Sequence, residues 1–286
     1  MKKFIEKTAG IYLNLTAPIF PKLNRKHAFK LLCKVNRIPV SQEGKEFLKT
    51  ATLQYLKLSE TEVALHKWGN GPKNILFLHG WMSYTQRWKP FINSFDLNEF
   101  TVYSLDAPAH GFSKGTELNI EMYREGVEEA IKITGEIDTL ICHSLGSLVG
   151  AYAFLTDPKI PIKKYVFMGT PSGLNAILGY FKETINISNR TIDNLKIKVD
   201  SILKIPSEKL TLDQFLNRTE KPVLIVHEIS DTVTPFQPIK EAIPNKKNIQ
   251  TFFTQGQDHN LKGKETLNEI LKFINQTKKE TATLCM

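Results

Sequence analysis

The sequence predicts an α/β protein: a mainly parallel twisted sheet with helices on both faces and a helical cap insert. Three observations carry this expectation. From Thr50 onward, short apolar runs alternate with longer stretches of helical periodicity. An alternating hairpin pattern precedes them, and about fifty residues with several amphipathic faces interrupt the series late in the chain. The length of 286 residues suits one such domain carrying an insert. With 41% hydrophobic and 23% charged residues, the composition excludes a disordered or collagen-like chain and provides for a substantial core.

Residues 1–37 read as two helices separated by Pro18 and Pro21, a basic amphipathic extension. Phe4, Thr8, Ile11 and Leu15 recur at helical spacing with Ile5 and Tyr12 alongside, and Ala28, Leu31, Leu32 and Val35 do the same in the second piece. Nine Lys/Arg and a single acid, Glu6, give this segment a charge of +8 out of a total of +9. The remaining chain is nearly neutral, which argues against a basic groove and against a nucleic-acid partner. Two readings stay open for the segment: peripheral contact with an anionic membrane surface, or an apolar face packed on its own domain, the commoner fate of such helices.

Elsewhere the longest charge-free stretch, Thr139 to Thr156, is interrupted by His143, Ser144, Gly146, Ser147 and Gly150 and reads as strand, turn and buried helix rather than a membrane span. No small-residue cleavage site follows the stretch from Thr8 to Pro21. Cys33, Cys142 and Cys285 are too few and too scattered for a disulfide framework. A cytoplasmic protein is expected.

The strands follow in order. Thr52–Leu58 and Glu62–Trp68 alternate apolar and polar residues around Ser59-Glu60-Thr61, as in an antiparallel hairpin. Asn74–Leu78, Thr101–Leu105, Thr139–Cys142, Lys164–Met168, Val223–Val226 and Gln250–Phe253 are short apolar runs, and helical patterns over 84–95, 119–134, 145–155, 235–241 and 262–275 separate them. The interruption falls between Gly169 and Pro222. There Leu174, Ile177, Leu178 and Phe181 mark one helical face, Ile192, Leu195, Val199, Ile202 and Leu203 a second, and Leu212, Phe215 and Leu216 a third. Such a segment can close over a site and exclude water.

The chemistry concentrates at strand ends. Cys142-His143-Ser144-Leu145-Gly146 stands where a strand ends and a helix begins, so a sharp turn would project the Ser144 hydroxyl above the sheet edge. A serine nucleophile needs a base, and the base an orienting carboxylate. Asp231 follows the next-to-last strand and His259 the last, which brings all three to the same edge. Acyl chemistry also needs oxyanion donors. The N–H of Leu145 supplies one, and Leu78-His79-Gly80-Trp81-Met82 places the N–H of Trp81 as the second. The bland alternatives are a helix N-cap for Ser144, a turn residue for Asp231, a surface loop for His259 and a core aromatic for Trp81.

These segments resemble the α/β-hydrolase superfamily, in its serine esterase/lipase-like branch, over about residues 50 to 276. His79-Gly80-Trp81 is similar to the family's oxyanion loop, and Asp106-Ala107-Pro108-Ala109-His110-Gly111-Phe112-Ser113 to its Asp-x-Pro-Gly-His-Gly-x-Ser stretch. The resemblance implies Ser144 as nucleophile, Asp231 as acid, His259 as general base, and Trp81 and Leu145 as oxyanion donors. It implies that residues 170–219 are a cap, and the chain is then expected to divide into a first core part at 38–169, a second core part at 220–276 and a flexible tail at 277–286. Four residues depart from the pattern. Cys142, Ala109, Glu228 and Asp258 each stand where a glycine is usual, and Asp258 offers a second carboxylate beside His259.

His79, His110, His143 and His227 read as structural neighbours. No metal-ligand spacing, phosphate loop or dinucleotide fingerprint is present, so neither metal nor cofactor is expected. The expected activity is hydrolysis of a small, lipophilic carboxylic ester or thioester through an acyl-serine. The alternatives are amide, peptide or C–C cleavage, acyl transfer, or a non-catalytic binding role on the same fold.

Overall fold

The computed structural model describes the backbone of residues 2–276 and the side chains of residues 7–276. The expected tail at 277–286 lies outside the described residues, as do the side chains of Phe4 and Ile5. Among the described residues eight strands form one sheet: β1 (Thr52–Lys57), β2 (Glu62–Trp68), β3 (Lys73–Leu78), β4 (Phe100–Leu105), β5 (Ile137–His143), β6 (Ile162–Met168), β7 (Val223–Glu228) and β8 (Ile249–Thr254). Their spatial order is β1-β2-β4-β3-β5-β6-β7-β8. The hairpin β1–β2 enters antiparallel, β2 meets β4 antiparallel, and every pair from β4 to β8 is parallel. This is the α/β architecture the alternation of runs predicts.

The helices are α1 (Lys2–Ile19), α2 (Pro21–Cys33), α3 (Gln42–Leu48), α4 (Lys89–Ile92), α5 (Ile120–Thr134), α6 (Leu145–Thr156), α7 (Leu174–Ile185), α8 (Asn189–Asp200), α9 (Leu212–Arg218), α10 (Phe236–Ala242) and α11 (Lys264–Asn275). The central strands bury both faces, which is why they read as continuous apolar runs. Leu76 and Leu78 of β3 point into the layer that holds Tyr123 and Val127 of α5 and Leu148 of α6. Ile75 and Phe77 point into the opposite layer, with Phe91 of α4 and Ile270 and Phe273 of α11.

Three local differences from the sequence expectation have physical causes. Pro18 lies inside α1, and the break falls at Phe20, just before Pro21 starts α2. Pro18 in the last turn removes the N–H that would bond the carbonyl of residue 14, and α1 ends one residue later; Pro21 at the first position suits a helix start. The pattern over 84–95 becomes a 3-10 turn, Thr85–Trp88, followed by the single turn of α4. Helix α3, unassigned from the sequence, is capped by Ser41 Oγ accepting from Gly44 N at 3.0 Å. A polar residue before Gln42-Glu43 was its signal.

The segment between β6 and β7 carries the three expected helices, and they part company in space. Phe215 of α9 is fully buried against Phe154, Tyr165 and Phe167, so α9 lies on the sheet layer. Helices α7 and α8 instead pack against α1 and α2. Gly10 of α1 comes so close to Ile185 O that any Cβ there would clash with it. Asn14 bonds both Asn186 O at 3.0 Å and Ser188 N at 2.7 Å, and Asn194 of α8 donates to Asn24 of α2 at 3.1 Å. Among the described residues no helix is long and apolar enough to cross a membrane, and no group of three His, Cys, Asp or Glu is placed to hold a metal.

Candidate active site

The site is built where β3, β5, β6, β7 and β8 end. Ser144 stands between β5 and α6 with φ 53° and ψ −121°, a left-handed conformation for a non-glycine residue. Such a backbone costs about 1–2 kcal/mol and persists only where its surroundings enforce it. Here the Ser144 N–H donates to Met168 O at 2.9 Å, and α6 starts directly against β3. A Cβ at Gly146 would run into Leu78 O and His79 O, which is why the elbow needs its small residue there. At the other small position Cys142 is tolerated because its side chain packs inward toward Gly150. Burial pushes that thiol well above its ordinary pKa, which disqualifies it as a nucleophile.

Asp231 and His259 meet in the loops after β7 and β8. His259 Nδ1–H donates to Asp231 Oδ2 at 2.7 Å. The other Asp231 oxygen accepts from Val233 N at 2.8 Å and Thr234 N at 2.9 Å, and Thr234 Oγ1 donates to Oδ2 at 2.8 Å. Burial alone would raise the Asp231 pKa. The hydrogen bond from His259 and those from Thr234 outweigh it and hold the carboxyl down at about 2. With Nδ1–H bonded to Asp231, Nε2 is the His259 ring nitrogen without a partner among the described residues.

The His259 ring lies against Gly169 at the end of β6, one residue beyond the Met168 carbonyl that holds Ser144. Among the described residues Ser144 Oγ has no hydrogen-bond partner. Asp258 turns away from the imidazole: its carboxylate accepts from Asn260 N at 2.9 Å and Asn260 Nδ2 at 3.0 Å. The second carboxylate therefore does not compete for the ring.

The loop after β3 lies across the elbow. A Cβ on Gly80 would come within 2.9 Å of Ser144 Cβ, so only glycine lets the two loops meet. The N–H of Leu145, in the first turn of α6, has no intrahelical acceptor, and among the described residues neither it nor the N–H of Trp81 is bonded elsewhere. The Trp81 ring is 37% exposed and sits edge-on to His110, so it is not a core aromatic.

The other histidines each tie two loops together. His79 donates from Nδ1 to Gly80 O at 2.8 Å and accepts at Nε2 from Ala107 N at 2.9 Å; burial pushes its pKa down to about 3 and keeps it neutral. His110 donates to Pro108 O and accepts from Met82 N at 3.1 Å, pinning the residue after Trp81. His143 donates from Nε2 to His259 O at 2.8 Å and so braces the loop of His259 from the elbow side. His227 donates to Thr234 O at 2.8 Å across the loop of Asp231.

Glu228 is the residue whose role the sequence leaves unread. It is fully buried, and its Oε1 accepts from Ser230 N, Ser230 Oγ and Gly256 N, while Oε2 accepts from Thr254 Oγ1 and Gln257 N. Burial would raise its pKa, but the Ser230 and Thr254 hydroxyls with the Ser230 and Gln257 N–H groups hold it at about 2. One carboxylate thus joins the loop of Asp231 to the loop of His259. Its sequence signal was the departure from glycine after His227.

The family described as alpha/beta hydrolase fold matches residues 73–188, the span from β3 past α7 that holds the Gly80 loop and the Ser144 elbow. No curated protein matches the chain. Among solved structures, a bromoperoxidase from Bacillus anthracis is similar at 20% identity and TM-score 0.60, over 79% of this chain and 100% of that one. Mouse alpha/beta hydrolase domain-containing protein 10 is similar at 18% identity and TM-score 0.60, over 82% of this chain and 100% of the other. An esterase from Rhodococcus sp. ECU1013 follows at 17% identity and TM-score 0.58, over 79% and 99%. At these identities the neighbours speak for the fold. The sheet order, the strained serine at the β5–α6 turn and the matched span agree, and the chain has the alpha/beta hydrolase fold.

Proposed function

We propose that this chain is a serine hydrolase that cleaves a carboxylic ester or thioester with an apolar acyl or alkyl part. The observation that carries the reading is the 2.7 Å bond from His259 Nδ1 to Asp231, together with a Ser144 hydroxyl that has no partner among the described residues and stands on a strained turn. In this reading Nε2 of His259 takes the Ser144 proton as Oγ bonds to the acyl carbon. The negative charge on the former carbonyl oxygen is met by the N–H groups of Trp81 and Leu145. The carbon–oxygen or carbon–sulfur bond to the leaving group breaks, and that group departs with the proton from His259. Water, deprotonated by the same nitrogen, then releases the acid and restores Ser144. The Ser144–His259 hydrogen bond closes when substrate occupies the site.

Two further observations support the substrate class. Trp81, Met82, Ile229 and Val233 are exposed large apolar side chains in the loops that carry the oxyanion donor and the acid. Esterases and a thioesterase domain are among the fold neighbours. In this reading α7 and α8, within residues 170–219, form the cap. The test is intact-mass analysis after treatment with a fluorophosphonate, on the natural chain and on Ser144→Ala, with peptide mapping. A single adduct on Ser144, absent from the variant, is expected. Folded protein that gains no adduct would overturn the enzymatic reading and leave a binding role on the same fold.

A further inference from the structure

Helix α1 is apolar on two sides. Its inner side buries Leu13 and Ala17 against α2 and α8, with Leu13 O accepting from Asn24 Nδ2 at 2.8 Å. Its outer side carries Ile11, Leu15 and Ile19, four residues apart and 54%, 66% and 67% exposed. Phe20 and Leu23 continue that row around the corner into α2, at 56% and 42% exposed. A helix at the surface of a water-facing protein normally turns polar residues outward. Here five large apolar side chains form a continuous row instead, and such a row marks an interaction site.

Charge identifies what covers it. Lys22, Arg25 and Lys26 of α2 and Lys198 of α8 line a shallow depression of about 570 Å³ next to the corner. Among the described residues none of these four cations is ion-paired, and Arg25 Nε has no hydrogen-bond partner. A second copy of the chain presenting the same face would bring two such cation clusters together. A bilayer offers the complementary pair of surfaces: hydrocarbon for the row and phosphate for the cations. We propose that the outer side of α1 with the start of α2 is a docking surface for a membrane rich in anionic phospholipid. Ile11, Leu15, Ile19 and Phe20 enter the acyl boundary, while Lys22, Arg25, Lys26 and Lys198 meet headgroup phosphates. Because α1 and α2 pack against α7 and α8, docking through the outer side of α1 leaves α1 and α2 between the bilayer and the β6–β7 insert. The inference is independent of the reaction at Ser144.

The test is co-sedimentation of the full chain with phosphatidylcholine vesicles, with and without phosphatidylglycerol. Binding to the anionic vesicles is expected, with weaker binding at high salt and little to phosphatidylcholine alone. The double variant Leu15→Glu/Ile19→Glu alters only exposed side chains and is expected to lose the binding while melting like the parent. Lys22→Gln and Lys26→Gln should each weaken it about fivefold. No binding to anionic vesicles, or binding that survives Leu15→Glu/Ile19→Glu, overturns the proposal. So does a chain that is dimeric by light scattering, becomes monomeric in that variant and never sediments with lipid, since a second copy would then be the occupant.

Discussion

Replacing Glu228 by glutamine removes one acceptor from a carboxylate that holds two loops together. Whichever oxygen becomes an amide nitrogen then faces at least two donors: Ser230 N, Ser230 Oγ and Gly256 N on one side, or Thr254 Oγ1 and Gln257 N on the other. Each buried donor left without its acceptor costs about 1–3 kcal/mol, so Glu228→Gln is expected to destabilise the fold by about 2–4 kcal/mol. The Glu228 pKa is held down from 4.5 to about 2, so its contribution is fully present above pH 4.5 and is lost as pH falls toward 2. The gap between the two proteins should therefore narrow over that window. Urea unfolding at several pH values measures this.

The same change should act on chemistry, because the loops it loosens carry Asp231 and His259. Labelling of Ser144 by a fluorophosphonate, measured at a temperature where both proteins are fully folded, is expected to slow at least about tenfold. A variant within about 0.5 kcal/mol of the parent, the range of an ordinary surface substitution, and labelled at the parental rate would refute the reasoning.

Three further outcomes are expected. Asp231→Asn removes the carboxylate that receives the 2.7 Å bond from His259, and fluorophosphonate labelling of Ser144 should fall by about 10³–10⁴-fold while the circular dichroism spectrum is unchanged. The folded pKa values of Asp231 and Asp106, each about 2 against an ordinary 3.8, give stability that is present above pH 3.8 and lost as pH falls toward 2. Unfolding followed against pH should show a loss of about 2 kcal/mol from each over that window, and Asp231→Asn should remove its share. Gly146→Ala pushes a methyl group into the carbonyls of Leu78 and His79, which belong to a central strand end and cannot retreat; a loss of about 3 kcal/mol or failure to accumulate folded protein is expected.

The strands and their order along the chain were legible because buried parallel strands must be apolar on both faces, and such runs stand out between helical patterns. Ser144, Asp231 and His259 were legible as candidates for a related reason. A doubly covered sheet presents its strand ends as one edge, so residues after β5, β7 and β8 become neighbours without being close in sequence. Helix α3 and the shortening of the 84–95 pattern escaped, since a few residues of favourable periodicity cannot fix a helix length against tertiary packing.

Other features depend on long-range contact, which residue type does not encode. Asp258 and Asp231 are the same amino acid near the same histidine, and only the loop geometry turns one toward His259 and the other toward Asn260. Glu228 looked like a misplaced glycine until the β8 loop closed over it. The sequence pattern of α1 picks out Ile11, Tyr12 and Leu15, which face outward, whereas packing against α2 and α8 buries Leu13 and Ala17, which that pattern does not include. Sequence by itself thus determined periodicity, charge and the order of strand ends, because these are local sums along the chain. Tertiary structure alone decided which carboxylate serves His259, what Glu228 joins and which face of α1 stays free, because each depends on groups brought together from distant parts of the chain.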